Sequence, residues 1–219
     1  LSLGSPLESP VLDALAMACK SVSESGILVC AAAGNEGDYP GPIDNYTRTV
    51  ASPAIAPGVI AVGAVDNKGD LVDFSSRGDP EHSFYKGKPD CVAPGTGITA
   101  AKSTFSDSDY GISKPSNFYV GLDGTSMASP NVAGALAILT SLLVEKGLQV
   151  KDARRMAKDA LITTSTPVKI GEPLSGEKHN DRNRRPGREC RPHEAGSGLI
   201  NVSQAIKHFW IHRGKFPST

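Results

Sequence analysis

Residues 127–144, "MASPNVAGALAILTSLLV", carry no charged side chain and place apolar groups on every helical face. A helix of that kind belongs inside a protein, so the rest of the chain has to supply layers around it. Gly147 is a C-terminal stop. Pro130 is expected in the first turn, where its missing N–H costs little. The helix is therefore expected to begin near Ser126, with Gly124 allowing a tight approach. A serine at that point has two readings. It caps the helix, or it is a nucleophile helped by the positive end of the helix dipole and by unpaired N–H groups. Local geometry leaves both open.

The other elements fit a layered arrangement. Ser9-Pro10 reads as a helix start, followed by "VLDALAMACKSVSESG" at helical spacing and ended by Gly26. "ILVCAAAGNEG" is a short buried strand that breaks into a glycine loop, Val59–Val65 is a second strand, and "CVAPG" ends a third. Continuous apolar strands between helices indicate a mostly parallel sheet covered on both faces, an α/β sandwich. "VKDARRMAKDALITTSTP" is amphipathic. "NVSQAIKHFW" reads as a closing helix capped by Asn201.

Two polar stretches, 104–117 and 171–198, read as mobile surface loops inserted into this framework. Asp107 and Asp109 could contribute to a calcium site, but they supply few of the six to eight oxygens that calcium takes, so a plain surface loop is the leading reading. Arg182, Arg184, Arg185, Arg188 and Arg191 are interrupted by Glu177, Asp181, Glu189 and Glu194 and have no interleaved aromatics. They read as a solvated loop rather than a nucleic-acid surface. The Arg184-Arg185 pair is the expected first trypsin site. Lys+Arg and Asp+Glu both number 23 over 219 residues, so no global charge calls for an acidic partner. The apolar run 131–144, broken by Asn131, Thr140 and Ser141, reads as too short to span a bilayer. Cys19, Cys30, Cys91 and Cys190 have no metal-binding spacing and read as buried free thiols.

Six pieces occur in order: "LSLGS", "AAAGNEG", "DFSSRGDP", "KPDCVAPG", "GTSMASPNVAGA" and "GSGLINV". This set resembles the subtilisin-like serine proteases, the subtilase family, over nearly the whole chain. The resemblance implies a three-layer sandwich with a buried central helix. It also implies Ser126 as the nucleophile and Asn35 as the side-chain donor to the oxyanion. Ser2, Leu3 and Gly4 match the strand that pairs with an extended polypeptide substrate. Ala32, Ala33 and Gly34 match the wall of the pocket for the residue before the cut bond. Glu36 matches its rim, where it would favour basic residues weakly, and Thr125 falls in the substrate-binding set. Ala32–Gly34 equally suit close packing of strand on helix, and Asn35 equally suits a turn. The resemblance implies no cofactor for catalysis and a structural calcium or sodium ion held by carbonyls of Ala54, Ala56 and Val59. It implies an extracellular or periplasmic site, with an intracellular one as the alternative, and no nucleic-acid or membrane partner.

The family orders its triad Asp, His, Ser. Its Asp-Gly motif and its "HGTH" motif are absent from residues 1–219. His82, His179, His193, His208 and His212 lie in loop or terminal contexts and read as surface groups. The chain is therefore expected to be the C-terminal portion of a subtilase domain, inactive alone and completed by an N-terminal part, with a pro-segment as a further partner. It is expected to expose an unpaired strand edge and apolar faces where that part belongs. A binding module that kept the fold is the competing reading. An esterase elbow, G-x-S-x-G, is excluded by Ala128 at its fifth position.

Overall fold

The computed structural model describes residues 1–5, 11–37, 48–102, 118–172 and 186–211; the side chains of Trp210 and Ile211 are outside this set. Ser9-Pro10, Asp107, Asp109, His179, Arg182, Arg184, Arg185 and His212 lie outside the described residues.

Three strands, β1 (Cys30–Ala32), β2 (Ile60–Val65) and β3 (Cys91–Pro94), form a parallel sheet in the order β1-β2-β3. Cys30 registers with Ile60, and Val62 with Cys91. Because side chains alternate across a strand, the sheet feeds two cores. Cys30, Ile60, Val62, Ala64, Cys91 and Ala93 face one side. Ala31, Ala33 and Ala61 face the other, against Ala16 and Cys19 of α1 (Ala14–Glu24). Both faces are covered, as the unbroken apolar strands require.

The first face is covered by α2 (Thr125–Glu145), which inserts Ala128, Val132, Leu136, Leu139 and Leu143. Behind it pack α3 (Val150–Thr163) and α5 (Val202–Ile211). The layers are thus α1, sheet, then α2 with α3 and α5. An antiparallel pair, β4 (Ile98–Ala101) and β5 (Tyr119–Leu122), leads into α2. The sequence reading missed this pair, because its strands carry little burial pattern and flank a polar stretch. A short helix, α4 (Pro192–Ala195), precedes α5.

Several expectations change on contact with the fold. The first helix begins at Ala14, capped by Asp13, whose carboxylate accepts from Leu15 N–H at 2.9 Å. Val11 and Leu12 lie before it and are exposed. Pro130 sits in the second turn of α2, not the first. It removes the N–H that would bond the Ser126 carbonyl, and that carbonyl accepts from Ser2 Oγ at 2.7 Å instead. α2 is 21 residues long and, by length and composition, apolar enough to cross a membrane. One face of it packs on the sheet, while Ala133, Ala137 and Ile138 are exposed, so it is not buried all round. Asn201 caps α5 as expected, accepting from Gln204 N–H at 3.0 Å.

The stretch 171–198 is not wholly a solvated loop either. Glu194 is buried and accepts from Arg188 at 2.6 and 3.1 Å, from Arg77 at 3.4 Å and from Arg191 N–H at 2.6 Å. The carboxylate is affordable inside the protein because charged donors surround it.

Candidate active site

Ser126 is the second residue of α2 and is half-buried. Its position is fixed by glycine. Gly124 N–H donates to Gly95 O at 2.8 Å, joining the helix start to the end of β3. A Cβ on Gly124, at φ +152°, would come 3.4 Å from Asn35 Nδ2, so the turn closes against the asparagine. The first-turn N–H groups of α2 have no carbonyl four residues earlier in the helix. That of Thr125 donates to Asn35 Oδ1 at 2.9 Å.

Thr125 supplies a second bond. Its Oγ1 donates to Asn35 Oδ1 at 3.0 Å and accepts from Gly34 N–H at 3.1 Å. A backbone N–H is always a donor, so Oδ1 is fixed as the acceptor end of the Asn35 amide. The Nδ2 end is left to donate. The side chain is exposed at the surface beside the start of α2, where dipole and donors favour a developing negative charge. Thr125 itself is 1 % exposed. The family resemblance places it in the substrate-binding set; its hydroxyl bonds Asn35 and Gly34. No motif announces this clamp, because its partners lie 90 and 91 residues away.

Gly34 has to be glycine. Its φ is +114°, and a Cβ would stand 2.4 Å from Glu36 Oε2 and 2.6 Å from Ser76 Oγ. Ser76 Oγ donates to Glu36 Oε2 at 2.8 Å, which ties the exposed glutamate to the 73–77 loop. Ala32 and Ala33 are buried, Ala33 in the core beneath α1, and Gly34 is half-buried.

Residues 1–5 lie along β1 and reach Ser126. Leu1 N donates to Cys30 O at 2.6 Å, and Leu1 O accepts from Ala32 N–H at 2.9 Å. Ser126 Oγ donates to Ser2 O at 3.2 Å. Ser5 and Ser52 exchange two backbone bonds of 2.9 Å. Ser2, Leu3 and Gly4 are exposed. The segment therefore offers an accessible backbone next to the serine. Among the described residues, no histidine is bonded to Ser126. His82 packs tilted against Phe84 and edge-on against Tyr85, and accepts from Phe84 N–H at 3.4 Å. His193 lies in α4 and His208 in α5.

Comparison with known proteins now identifies the scaffold. Residues 1–196 match the Subtilase family. The chain belongs to the subtilase family. It is 36% identical over 176 residues to the major intracellular serine protease of Bacillus subtilis, a match covering 80% of this chain and 46% of that protein. It is 40% identical over 141 residues to subtilisin DY of Bacillus licheniformis, covering 64% of this chain and 41% of that one. Among solved structures, the prenylagaramide maturation protease PagA superposes with a TM-score of 0.66 at 28% identity, covering 95% of this chain and 60% of that one. The patellamide maturation protease PatA gives 0.65 at 26%, covering 96% and 61%. This subtilase chain thus spans less than half the length of the first two proteases it matches.

A cation position is expected from the resemblance at the carbonyls of Ala54, Ala56 and Val59. Val59 O accepts from Lys88 Nζ, and Ala56 O accepts from Val59 N–H at 3.2 Å. Two of the three carbonyls expected to hold calcium or sodium are therefore already engaged by protein donors. Among the described residues no cluster of three or more His, Cys, Asp or Glu side chains is placed to hold a metal.

Proposed function

We propose that the chain is the nucleophile-bearing part of a serine endopeptidase. Ser126 Oγ attacks the scissile carbonyl of a polypeptide, and Ser126 N–H with Asn35 Nδ2 receives the oxyanion. The observation that carries this reading is the double clamp on Asn35 Oδ1 by Thr125, which orients the amide as a donor at the start of α2. The exposed backbone of Ser2–Gly4 pairs with the extended substrate. The base and its carboxylate are supplied from residues other than 1–219, since neither motif occurs in them. They reside in the same polypeptide or on a companion chain. The apolar cleft of about 620 Å³ between β1 and α2, lined by Leu1, Ile27, Leu136 and Ala137, supports a further part packed there.

No cofactor takes part in this chemistry, and the partner is polypeptide rather than nucleic acid or membrane. The cellular site is read as extracellular or periplasmic. Identity to a protease named intracellular supports the alternative.

The test is a peptidase assay on the protein together with its Asp- and His-bearing part. Ser126→Ala should abolish turnover and labelling by a fluorophosphonate. Asn35→Leu should lower kcat about 10²–10³-fold with KM little changed, a range set by a subtilisin asparagine rather than by this chain. Robust turnover by pure residues 1–219, or full activity in Ser126→Ala, sinks the reading. An intact fold that binds peptide without cleaving it, in the presence of both motifs, favours the binding module instead.

A further inference from the structure

Lys88 is 9 % exposed, and its Nζ donates to Val59 O and to Asp90 Oδ2, the latter at 2.8 Å. A buried ammonium is stable only where acceptors replace its water. These acceptors come from two parts of the sheet. Val59 ends the 53–59 loop immediately before β2, and Asp90 immediately precedes β3. Asp90 also accepts from Ala61 N–H at 2.8 Å through Oδ2, and its own N–H donates to Ala61 O at 2.9 Å. The ammonium therefore closes a knot joining the loop, β2 and β3.

We propose that the Lys88 ammonium is the resident cation of this site, so that the protein needs no calcium or sodium ion there. Calcium takes six to eight oxygens at about 2.3–2.6 Å. Here Val59 O is bonded to Nζ, Ala56 O to Val59 N–H, and Asp90 Oδ2 to both Nζ and Ala61 N–H. An incoming ion would have to displace the ammonium, which would then lose those acceptors. The tethered group needs no free ion, whereas a bound ion stabilises only as its concentration exceeds its Kd. The inference concerns the scaffold and is independent of the peptidase reading.

The experiment is thermal melting of the whole protein after exhaustive chelation. Calcium, sodium or potassium chloride is added against tetramethylammonium chloride at equal ionic strength. Wild type and Asp90→Asn should respond to calcium by the same shift, so that none of the response passes through Asp90. Lys88→Ala should melt several degrees lower and recover part of the loss with calcium or potassium, which the vacated oxygens now admit. A wild-type shift that disappears in Asp90→Asn overturns the proposal, as does a Lys88→Ala variant that melts like wild type. Should Lys88→Ala not fold, wild-type crystals soaked in rubidium or terbium chloride decide. No anomalous peak beside Val59 O supports the proposal, and a peak there overturns it.

Discussion

At the residue scale, the site depends on side chains whose role is to point another group. Thr125→Val removes one of two donors to Asn35 Oδ1 and strands Gly34 N–H. A fully buried donor left without its partner costs about 1–3 kcal/mol, and the half-buried Gly34 N–H falls at or below the lower end. Activity in the completed enzyme should fall through kcat with KM little changed, and Thr125→Ser should restore most of it; an unchanged kcat in Thr125→Val would remove the clamp from the mechanism. The thiols make a second residue-scale case. Burial pushes Cys30 from the ordinary 9.0 up to about 11, and Cys190 up to about 12. The nucleophilic thiolate is thereby suppressed. Alkylation by iodoacetamide near neutral pH should be slow in the folded protein and rapid in urea. The unfolded thiols lose their protons first, so their contribution to stability is full below about pH 9. It declines as pH rises through the folded values, which denaturant titrations across that range would detect.

At the element scale, α1 and α5 are held by side-chain caps, and the long α2 by its inner face. Asp13 caps α1 and also accepts from Ser52 Oγ, which holds its carboxyl below the usual range. Asp13→Ala should cost about 0.5–2 kcal/mol, the usual value of a cap. The sign with pH follows from the lowered value: the cap stabilises above the ordinary carboxylate pKa, and the benefit is lost as pH falls through the folded one. The acid limb of a stability–pH curve should therefore flatten in Asp13→Ala. In α2, Leu139 is fully buried against the sheet. Leu139→Ala should cost about 2–5 kcal/mol, measured by denaturant unfolding. Ile138, on the outer face and 54 % exposed, should cost far less when truncated. Equal losses at the two positions would contradict the layer order.

At the scale of the whole molecule, a long-range polar knot locks the polar segment before α5 onto the 73–77 loop. The Arg77–Glu194–Arg188 cluster spans 117 residues of sequence. Glu194→Ala leaves two arginines facing each other where their shared carboxylate was. Breaking a buried pair costs about 3–5 kcal/mol, so the midpoint of urea unfolding should fall sharply, while Glu189→Ala should barely move it. On the opposite flank, Leu1, Ile27 and Ala137 leave apolar surface open around the β1–α2 cleft. Pure residues 1–219 should self-associate there, and adding the Asp- and His-bearing part should suppress it. Sedimentation showing a concentration-independent monomer would argue against that docking face.

What the sequence by itself determined was everything governed by local pattern. The apolar runs specified β1, β2 and β3, the helical periods specified α1, α3 and α5, and the family resemblance of "GTSMASP" and "AAGNEG" pointed to Ser126 and Asn35 as the residues to look for. The tertiary structure decided what those groups meet. Which end of the Asn35 amide donates depends on Thr125, 90 residues away. Pro130 is tolerated in the second turn of α2 because Ser2 Oγ bonds the carbonyl it frees. Glu194, read as one charge in a solvated loop, is buried between arginines. Lys88 meets the very carbonyl that the family resemblance implied for a metal ion. Hydrophobic periodicity is written along the chain. A hydrogen bond to a distant backbone carbonyl leaves no mark on it, because every residue carries the same carbonyl and only the fold selects one.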